Sequence, residues 1–221
     1  MPKQEKVSRE SAPQQAARII REWILDGRLP GGEYIRQETL AVELGVSRIP
    51  IRDALTMLEA KGLVKREPNK GFLVTKLSVD EAKEAYALRE ILEIYLLEKA
   101  LPHITDEHLI NAEKKIIESK NATSESDRAR LNAEFHMSLY SAANMPLTIQ
   151  TLKHVLQLLE RYIHVQRTAS TTVQKTSLEQ HAELLIQIKS GNPVRAVDAL
   201  KQHIRWNIGE ISDVIAHMPK K

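Results

Sequence analysis

The chain has 221 residues, of which 42% are hydrophobic and 28% charged, and its formal net charge is +3. This length allows one large domain or two small ones, each with a buried core. The absence of cysteine excludes a disulfide framework and thiolate chemistry, and the lack of any run of roughly 20 apolar residues argues against a membrane span, so we expect a cytoplasmic protein.

Positive charge is concentrated in the N-terminal third of the chain. Residues 1–76 contain 14 Lys and Arg against 10 Asp and Glu, whereas residues 77–221 contain 18 against 19. A basic region is where a polyanion such as DNA is held. A chance fluctuation of charge explains the counts equally well, so charge alone does not decide the partner.

The N-terminal elements begin after a polar segment. Residues 1–10 lack apolar periodicity, and we expect them to be disordered. Ser11 is a suitable cap for a helix whose apolar residues continue at helical spacing to about Asp26. Gly27 ends this helix, and the Leu-Pro-Gly-Gly segment at residues 29–32 predicts a turn.

The next stretch has the pattern of a DNA-reading unit. Apolar spacing predicts helices at residues 37–44 and 47–61, separated by Gly45, and two strands at residues 63–67 and 72–75 joined by a turn. Two helices joined by a tight turn and followed by a hairpin make a winged helix-turn-helix. The second helix of such a pair enters the major groove of DNA.

The first turn of that second helix carries the candidate base-reading residues. Ser47, Arg48 and Arg52 lie there, and arginine can pair bidentately with guanine. Lys70, in the hairpin turn, is placed to meet phosphate or the minor groove. A second interpretation stays open, in which Ser47 only caps the helix and Arg52 belongs to a solvated face.

A series of short motifs supports the DNA-binding interpretation. They are Gly27-Arg28-Leu29-Pro30-Gly31-Gly32, Leu40-Ala41, Leu44-Gly45-Val46-Ser47-Arg48, Pro50, Arg52, Ala54-Leu55, Leu58, Gly62-Leu63-Val64 and Gly71-Phe72. Over about 60 residues these motifs resemble the GntR family of bacterial transcription regulators. The resemblance implies DNA contacts from Arg36, Ser47, Arg48, Pro50, Arg52 and Gly71. Asp53 and Gly31 are departures, because the family usually has Glu and Pro at these positions.

From Leu77 onward the sequence predicts an all-helical domain over residues 77–221. Pro and Gly punctuate long stretches of helical periodicity, and six helices in a region of this size form an antiparallel bundle. The predicted fold class is therefore mainly α, with a winged helix-turn-helix domain at residues 11–76, including a small β-hairpin wing, and a C-terminal six-helix bundle. The bundle helices are expected near residues 79–101, 105–120, 125–143, 146–168, 174–190 and 193–217.

Histidine is the informative residue type of the helical region. Asn132 and His136 lie four residues apart, on one face of the third bundle helix, and His181 and His203 lie on the fifth and sixth helices. Three imidazoles and an oxygen donor that converge inside a bundle suit a divalent metal such as zinc, nickel or manganese. Spacing alone supports this weakly, because the chain has eight histidines and most helix histidines are surface or core residues.

Further motifs extend the comparison to the helical region. They are Ala87-Leu88-Arg89 with Glu93, Glu134-Phe135-His136, Ala143-Asn144 with Pro146-Leu147, His181, and residues 196–203. They resemble the FCD ligand-binding domain of the FadR subfamily, and six helices rather than seven resemble its VanR-like branch. In metal-binding members an Asp four residues before the first His completes a set with three His. This set carries over to Asn132, His136, His181 and His203.

Two positions depart from that metal-binding pattern. Asn132 replaces the Asp, and a neutral amide is a poorer cation ligand than a carboxylate. Gln180 stands where the family often has Glu. By the same resemblance Arg89 and Arg161 face the ligand cavity, and the ligand is a small organic acid held by metal and arginine together. The alternative is that Arg89 pairs with Glu93, one helical turn away.

These observations predict a ligand-responsive transcription regulator, a repressor that binds a pseudo-palindromic double-stranded DNA operator as a homodimer. A small carboxylate metabolite would shift the arrangement of the two DNA-binding domains. Two alternatives remain, a DNA-binding regulator with a purely structural, metal-free bundle, and a metal-dependent hydrolase. The HExxH spacing of a metalloprotease is absent, and we do not expect an enzyme.

Overall fold

The computed structural model describes residues 10–169 and 171–217. The predicted disordered tail, apart from its last residue, lies outside the described residues. Two compact units make up the chain, one ending at Lys76 and the other beginning at Leu77. In chain order the elements are α1 (Ala12–Leu25), β1 (Tyr34–Ile35), α2 (Gln37–Leu44), α3 (Arg48–Glu59), β2 (Val64–Glu67), β3 (Gly71–Val74), α4 (Val79–Ala100), α5 (Asp106–Asn121), α6 (Glu125–Tyr140), α7 (Pro146–Ala169), α8 (Thr171–Lys189) and α9 (Pro193–His217).

The predicted fold class, a winged helix-turn-helix followed by a helical bundle, is confirmed. Within the described ranges, no helix has the length and hydropathy needed to span a membrane. The bundle helices begin and end close to the predicted positions. One difference is that α6 ends at Tyr140 instead of residue 143, because Ser141–Ala143 tightens into a 3₁₀ turn that ends at Asn144 in the left-handed conformation, φ 50°.

The core of the N-terminal unit explains how α3 is oriented. Ile51, Leu55 and Leu58 are almost completely buried, and their spacing of three and four residues places them on one face of the helix. They pack in one apolar cluster with Ile20 and Ile24 of α1. Burial of this face directs the opposite face of α3, which carries the basic residues, toward solvent.

The β-sheet of the N-terminal unit has three strands in the order β1-β3-β2, all antiparallel. The sequence predicts the hairpin of β2 and β3. The short β1 is an addition that pairs Tyr34 with Leu73 and Ile35 with Phe72. Gly71 begins β3 with φ 91°, a conformation in which any side chain is strained, and this fixes a glycine at the hairpin.

The six helices described in the second unit share one apolar core. The long helix α4 contributes Tyr86, Leu96 and Leu97, each at most 2% exposed. Ser78 caps this helix by accepting a hydrogen bond from the Glu81 backbone N–H at 3.4 Å. The same core holds residues of α5 to α9, so the inward faces of α6, α8 and α9 meet in the interior.

Candidate DNA interface and candidate metal centre

A groove beside the first turn of α3 brings together three of the predicted DNA contacts. Arg48, Arg52 and Gly71 line a recess of about 410 Å³. Both arginine side chains are exposed, so their guanidinium groups are accessible to base edges. Arg48 also contacts Glu38 of α2, with 2.9 Å between Nη1 and Oε1. That contact is exposed, and a phosphate can replace the carboxylate at little cost.

The remaining predicted contacts lie around this groove instead of on its walls. Ser47 is the N-cap residue of α3, but its side chain makes no capping hydrogen bond. The prediction that the Ser47 hydroxyl caps the helix is therefore corrected, and the exposed hydroxyl is available to a phosphate. Arg36 is exposed at the N-cap of α2, and Pro50 is half-buried in the first turn of α3. Lys70 is 65% exposed, 3.9 Å from Glu67.

Sequence reasoning missed four polar residues of the groove, Gln37, Arg66, Glu67 and Asn69. Arg66 lies on β2 and donates a hydrogen bond from Nη2 to Oγ1 of Thr56 at 3.1 Å. Asn69 occupies the hairpin turn with φ 61°, a conformation that asparagine tolerates. The signal was present, since a basic residue before a Pro-Asn turn belongs to the wing of the predicted motif.

Three of the predicted metal ligands converge inside the bundle. His136 comes from α6, His181 from α8 and His203 from α9, and each is 2% exposed. The ring centroids of His136 and His181 are 5.0 Å apart, and those of His181 and His203 are 4.7 Å apart. The distance between the ring centroids of His136 and His203 is 5.4 Å. One nitrogen from each ring lies within 4.8 Å of the others.

The chemistry of this cluster fits a divalent metal ion. Nε2 of His136 and Nε2 of His181 are buried without a hydrogen-bond partner in the part of the chain that the structure describes. Burial lowers the pKa of all three imidazoles well below the ordinary value of 6.5, so the rings are neutral and have a lone pair to donate. Each unsatisfied buried polar atom costs about 1–3 kcal/mol, and one metal ion satisfies several ring nitrogens together.

Side chains behind the histidines orient two of the rings. Nδ1 of His203 lies 2.9 Å from Oε1 of Gln180, and a proton on Nδ1 leaves Nε2 as the metal-binding atom. Nε2 also lies 3.4 Å from the amide nitrogen of Asn207. Nδ1 of His136 lies 3.3 Å from the Tyr140 hydroxyl. The amide oxygen of Gln180 therefore supports a histidine at a position where the FCD resemblance expects a carboxylate.

Arg89 is engaged by Glu93 deep in the bundle, as the structural alternative for this residue predicts. The distance from Nε to Oε1 is 2.5 Å, and the two side chains are 3% and 1% exposed. Burial acts to lower the pKa of Arg89, but the Glu93 carboxylate raises it above its ordinary value. The guanidinium is therefore charged, and its charge contributes to lowering the pKa of His136, His181 and His203.

A cavity of about 490 Å³ lies beside the histidine cluster, a volume in the range of small-molecule pockets. Asn132 and His181 are on its wall, and Asn132 precedes His136 by one turn of α6. The predicted ligand arginines, Arg89 and Arg161, do not line this cavity. Arg161 is partly buried on α7, and burial lowers its pKa.

Sequence reasoning missed the two arginines that do line the cavity, Arg128 of α6 and Arg167 of α7. Arg167 is the less exposed of the two. Its side chain is 11% exposed. Arg161 and Arg167 are six residues apart on α7, and helical periodicity alone does not say which of two polar positions faces the interior. The rotation of α7 against its neighbours decides this.

Two protein-family models match the chain. The model described as bacterial regulatory proteins, gntR family, matches residues 13–74. The FCD domain model matches residues 84–205. Each match falls within one of the two compact units, and the two together span the groove of α3 and the histidine cluster.

Curated relatives match across both units. The chain is 29% identical over 206 residues to the HTH-type transcriptional regulator YdhC of Bacillus subtilis, which covers 90% of this chain and 88% of the relative. It is 24% identical over 205 residues to the HTH-type transcriptional repressor RspR of Escherichia coli, with coverages of 91% and 88%.

Solved structures also match over most of this chain. A GntR-family transcriptional regulator from Pseudomonas syringae is 30% identical and covers 94% of this chain and 88% of its own, with a TM-score of 0.56. McbR/YncC of E. coli reaches a TM-score of 0.73 at 20% identity, with coverages of 92% and 98%. At that identity the second likeness concerns the fold alone.

Proposed function

We propose that this chain, which belongs to the gntR family of bacterial regulatory proteins and carries an FCD domain, is a repressor controlled by a small organic acid. Its relatives are DNA-binding transcription regulators rather than enzymes, in line with the expectation that it has no catalytic activity. Two of them are named as repressors, RspR and a probable regulator of D-xylose utilization, and these names support the sign of regulation.

The DNA-binding surface that we propose is the groove of α3 and its surroundings. Arg48 and Arg52 would read base edges, while Ser47, Arg36 and Lys70 would contact phosphates, with the backbone at Gly71 and the Pro50 turn shaping the surface. A homodimer would place two such surfaces on the half-sites of a pseudo-palindromic operator. Because its target is the bacterial chromosome, we place the repressor in the cytoplasm.

The observation that carries the metal part of the proposal is the pair of partnerless Nε2 atoms on His136 and His181. Together with His203 they would hold a divalent ion, zinc, nickel or manganese, with Asn132 as a weaker oxygen donor. The ion would supply a positive charge that binds a carboxylate. The cavity next to His181 provides the space for the rest of the acid.

Control of DNA binding requires that the acid favour one state of the protein. An effector changes operator affinity only by the factor by which it prefers one conformation over the other, and the operator changes effector affinity by the same factor. We expect the acid to lower operator affinity. The metal-dependent hydrolase remains disfavoured, because the relatives are regulators and no HExxH motif is present.

Metal analysis of the purified protein tests this proposal. After chelation and reloading with Zn²⁺, Ni²⁺ or Mn²⁺, we expect about one ion per chain, a raised melting temperature, and loss of both in His181→Ala. Asn132→Asp should bind the ion more tightly, because a carboxylate is the better ligand. His154→Ala, at an exposed position of α7, is the matched control and should retain the metal.

The alternative of a purely structural, metal-free bundle makes the opposite prediction. Wild-type protein without bound metal, and without a shift in melting temperature across a panel of carboxylic acids, would establish that alternative. Full retention of the metal in His181→Ala would show that the ion binds outside the histidine cluster.

A further inference from the structure

We propose that the effector is a small dicarboxylate and that Arg167 binds its second carboxylate group inside the cavity. This inference rests on the proposed function, in which the first carboxylate is held at the metal. It adds a second anion-binding position that the metal site does not require.

The charge on the cavity wall exceeds what a single carboxylate needs. Four basic side chains line the cavity, each from a different helix. They are Lys120 of α5, Arg128 of α6, Arg167 of α7 and Lys175 of α8. Glu179 is the acidic side chain on this wall, and it lies 3.9 Å from Lys175. The metal would add further positive charge. A ligand with one negative charge would leave most of this field uncompensated.

Arg167 is the least exposed member of this set. Nε of Arg128 lies 2.9 Å from Oε2 of Glu125, and Nη1 of Arg167 lies 3.4 Å from Oε1 of the same carboxylate. Two guanidinium groups thus share one negative charge, and the trio has a net charge of +1. The contact of Arg167 is long for a hydrogen bond, although a buried guanidinium needs a close counter-charge.

The charge of Arg167 also acts on a buried hydroxyl group, that of Tyr86. The hydroxyl of Tyr86 is buried and makes no hydrogen bond of ordinary geometry among the described residues, although the Arg89 guanidinium lies 5.4 Å from the Tyr86 ring centroid and interacts with the hydroxyl. Burial raises the pKa of Tyr86, while the nearby charges of Arg89 and Arg167 act in the opposite direction. The hydroxyl therefore stays protonated and is a hydrogen-bond donor.

The two anion-binding positions belong to one cavity. His181 and Asn132 line the same space as Arg167, and the positive charge of Arg167 contributes to lowering the pKa of all three histidines. A volume of about 490 Å³ has room for a short dicarboxylate. A linear acid with a carboxylate at each end matches a metal and an arginine placed in the same small cavity.

Calorimetric titration of the zinc-loaded full-length protein tests the inference. The probes are succinate, glutarate and adipate, each compared with the monocarboxylate of equal chain length. We expect at least one dicarboxylate to bind about 10-fold to 100-fold more tightly than its monocarboxylate partner, the range of one charged hydrogen-bonded pair. Arg167→Gln should abolish this preference while its zinc content and monocarboxylate affinity stay unchanged.

Two control variants test whether the preference for dicarboxylates depends on Arg167 itself or on positive charge in general. Arg130→Gln removes a guanidinium from the exposed face of α6, where it pairs with Asp127 and Glu134, and should keep the preference. Lys120→Gln changes an exposed lysine of the cavity wall. This variant should fold as the wild type does and should reduce the preference in part.

Each outcome decides between the two proposals. Equal binding of dicarboxylates and monocarboxylates, or a preference that survives Arg167→Gln, overturns the dicarboxylate inference and leaves the metal-bound acid standing. No binding of any dicarboxylate by the zinc-loaded protein also overturns it. A chain that holds no metal and binds no acid overturns the proposed function itself.

Discussion

At the scale of single residues, Glu93 links the histidine cluster to the charged network of the bundle. It accepts hydrogen bonds from Nε of Arg89 and from the Tyr140 hydroxyl, both at 2.5 Å. Its second oxygen lies 3.4 Å from Nδ1 of His136. The spacing of four residues in the sequence predicts the pair with Arg89, whereas the contact with Tyr140, 47 residues away, depends on how α4 packs on α6.

The substitution Glu93→Gln should destabilise the protein strongly. It keeps the shape of the side chain but leaves the Arg89 charge buried without its counter-charge, which costs about 3–5 kcal/mol in the free energy of unfolding. Urea denaturation of the metal-free protein measures this loss. Glu90→Gln, which affects the pair with the exposed Arg205, is the matched control and should cost much less. Equal losses in the two variants would contradict the assigned role of Glu93.

At the scale of elements, α3 shows how burial selects a functional face. The buried positions, Ile51, Leu55 and Leu58, follow the same helical period of apolar residues from which the sequence predicts this helix. Arg48 and Arg52 are exposed as a consequence. Their neighbours in the groove include residues of β2 and β3, and the pairing of β3 with β1 was not predictable from two residues of extended chain.

The substitution Arg52→Ala should weaken operator binding by about 10-fold to 100-fold and relax the preference for one base pair, because a bidentate arginine contributes about 1–3 kcal/mol of discrimination. Fluorescence anisotropy with a duplex selected from a random-sequence pool measures both effects. Arg195→Ala, at an exposed position in α9, is the control and should bind as the wild type does.

A salt titration of the wild type should show operator affinity falling steeply with salt concentration. A slope near zero would refute binding to DNA through this basic surface.

At the scale of the whole molecule, three neutral imidazoles in one core make stability depend on pH. Their pKa values lie well below 6.5 in the folded chain and near 6.5 once it unfolds. Below pH 6.5 the unfolded chain therefore binds more protons than the folded chain. The stability due to these groups is complete above this pH and is lost as pH falls toward the folded pKa values.

Thermal unfolding of the metal-free protein between pH 8 and pH 5 tests this dependence. Each histidine contributes a slope of about 1.4 kcal/mol per pH unit below its unfolded pKa, so the three together give up to about 4 kcal/mol per unit. His203→Gln should remove about a third of that slope, whereas His154→Gln, at an exposed position, should leave it unchanged. A stability that stays constant from pH 7 to pH 5 would show that the histidines are not buried in neutral form.

The sequence by itself determined the order and approximate bounds of the helices and the winged helix-turn-helix. These features depend on local spacing, on helix caps and on Gly or Pro punctuation, and each acts within a few residues. The convergence of His136, His181 and His203 followed from the resemblance to FCD domains, because spacing alone was weak support. The roles of these histidines, of Asn132 and of the DNA-contact residues stay predictions.

Only the tertiary structure decided which cations face the cavity. It buried Arg89 against Glu93, placed Arg161 away from the cavity wall and brought Arg167 onto it. It also turned residues 34–35 into a third strand. The physical reason is the same in each case. The helical period gives each side chain a direction about its own axis, but the rotation of one helix against its neighbours is set by packing between residues that are distant in sequence.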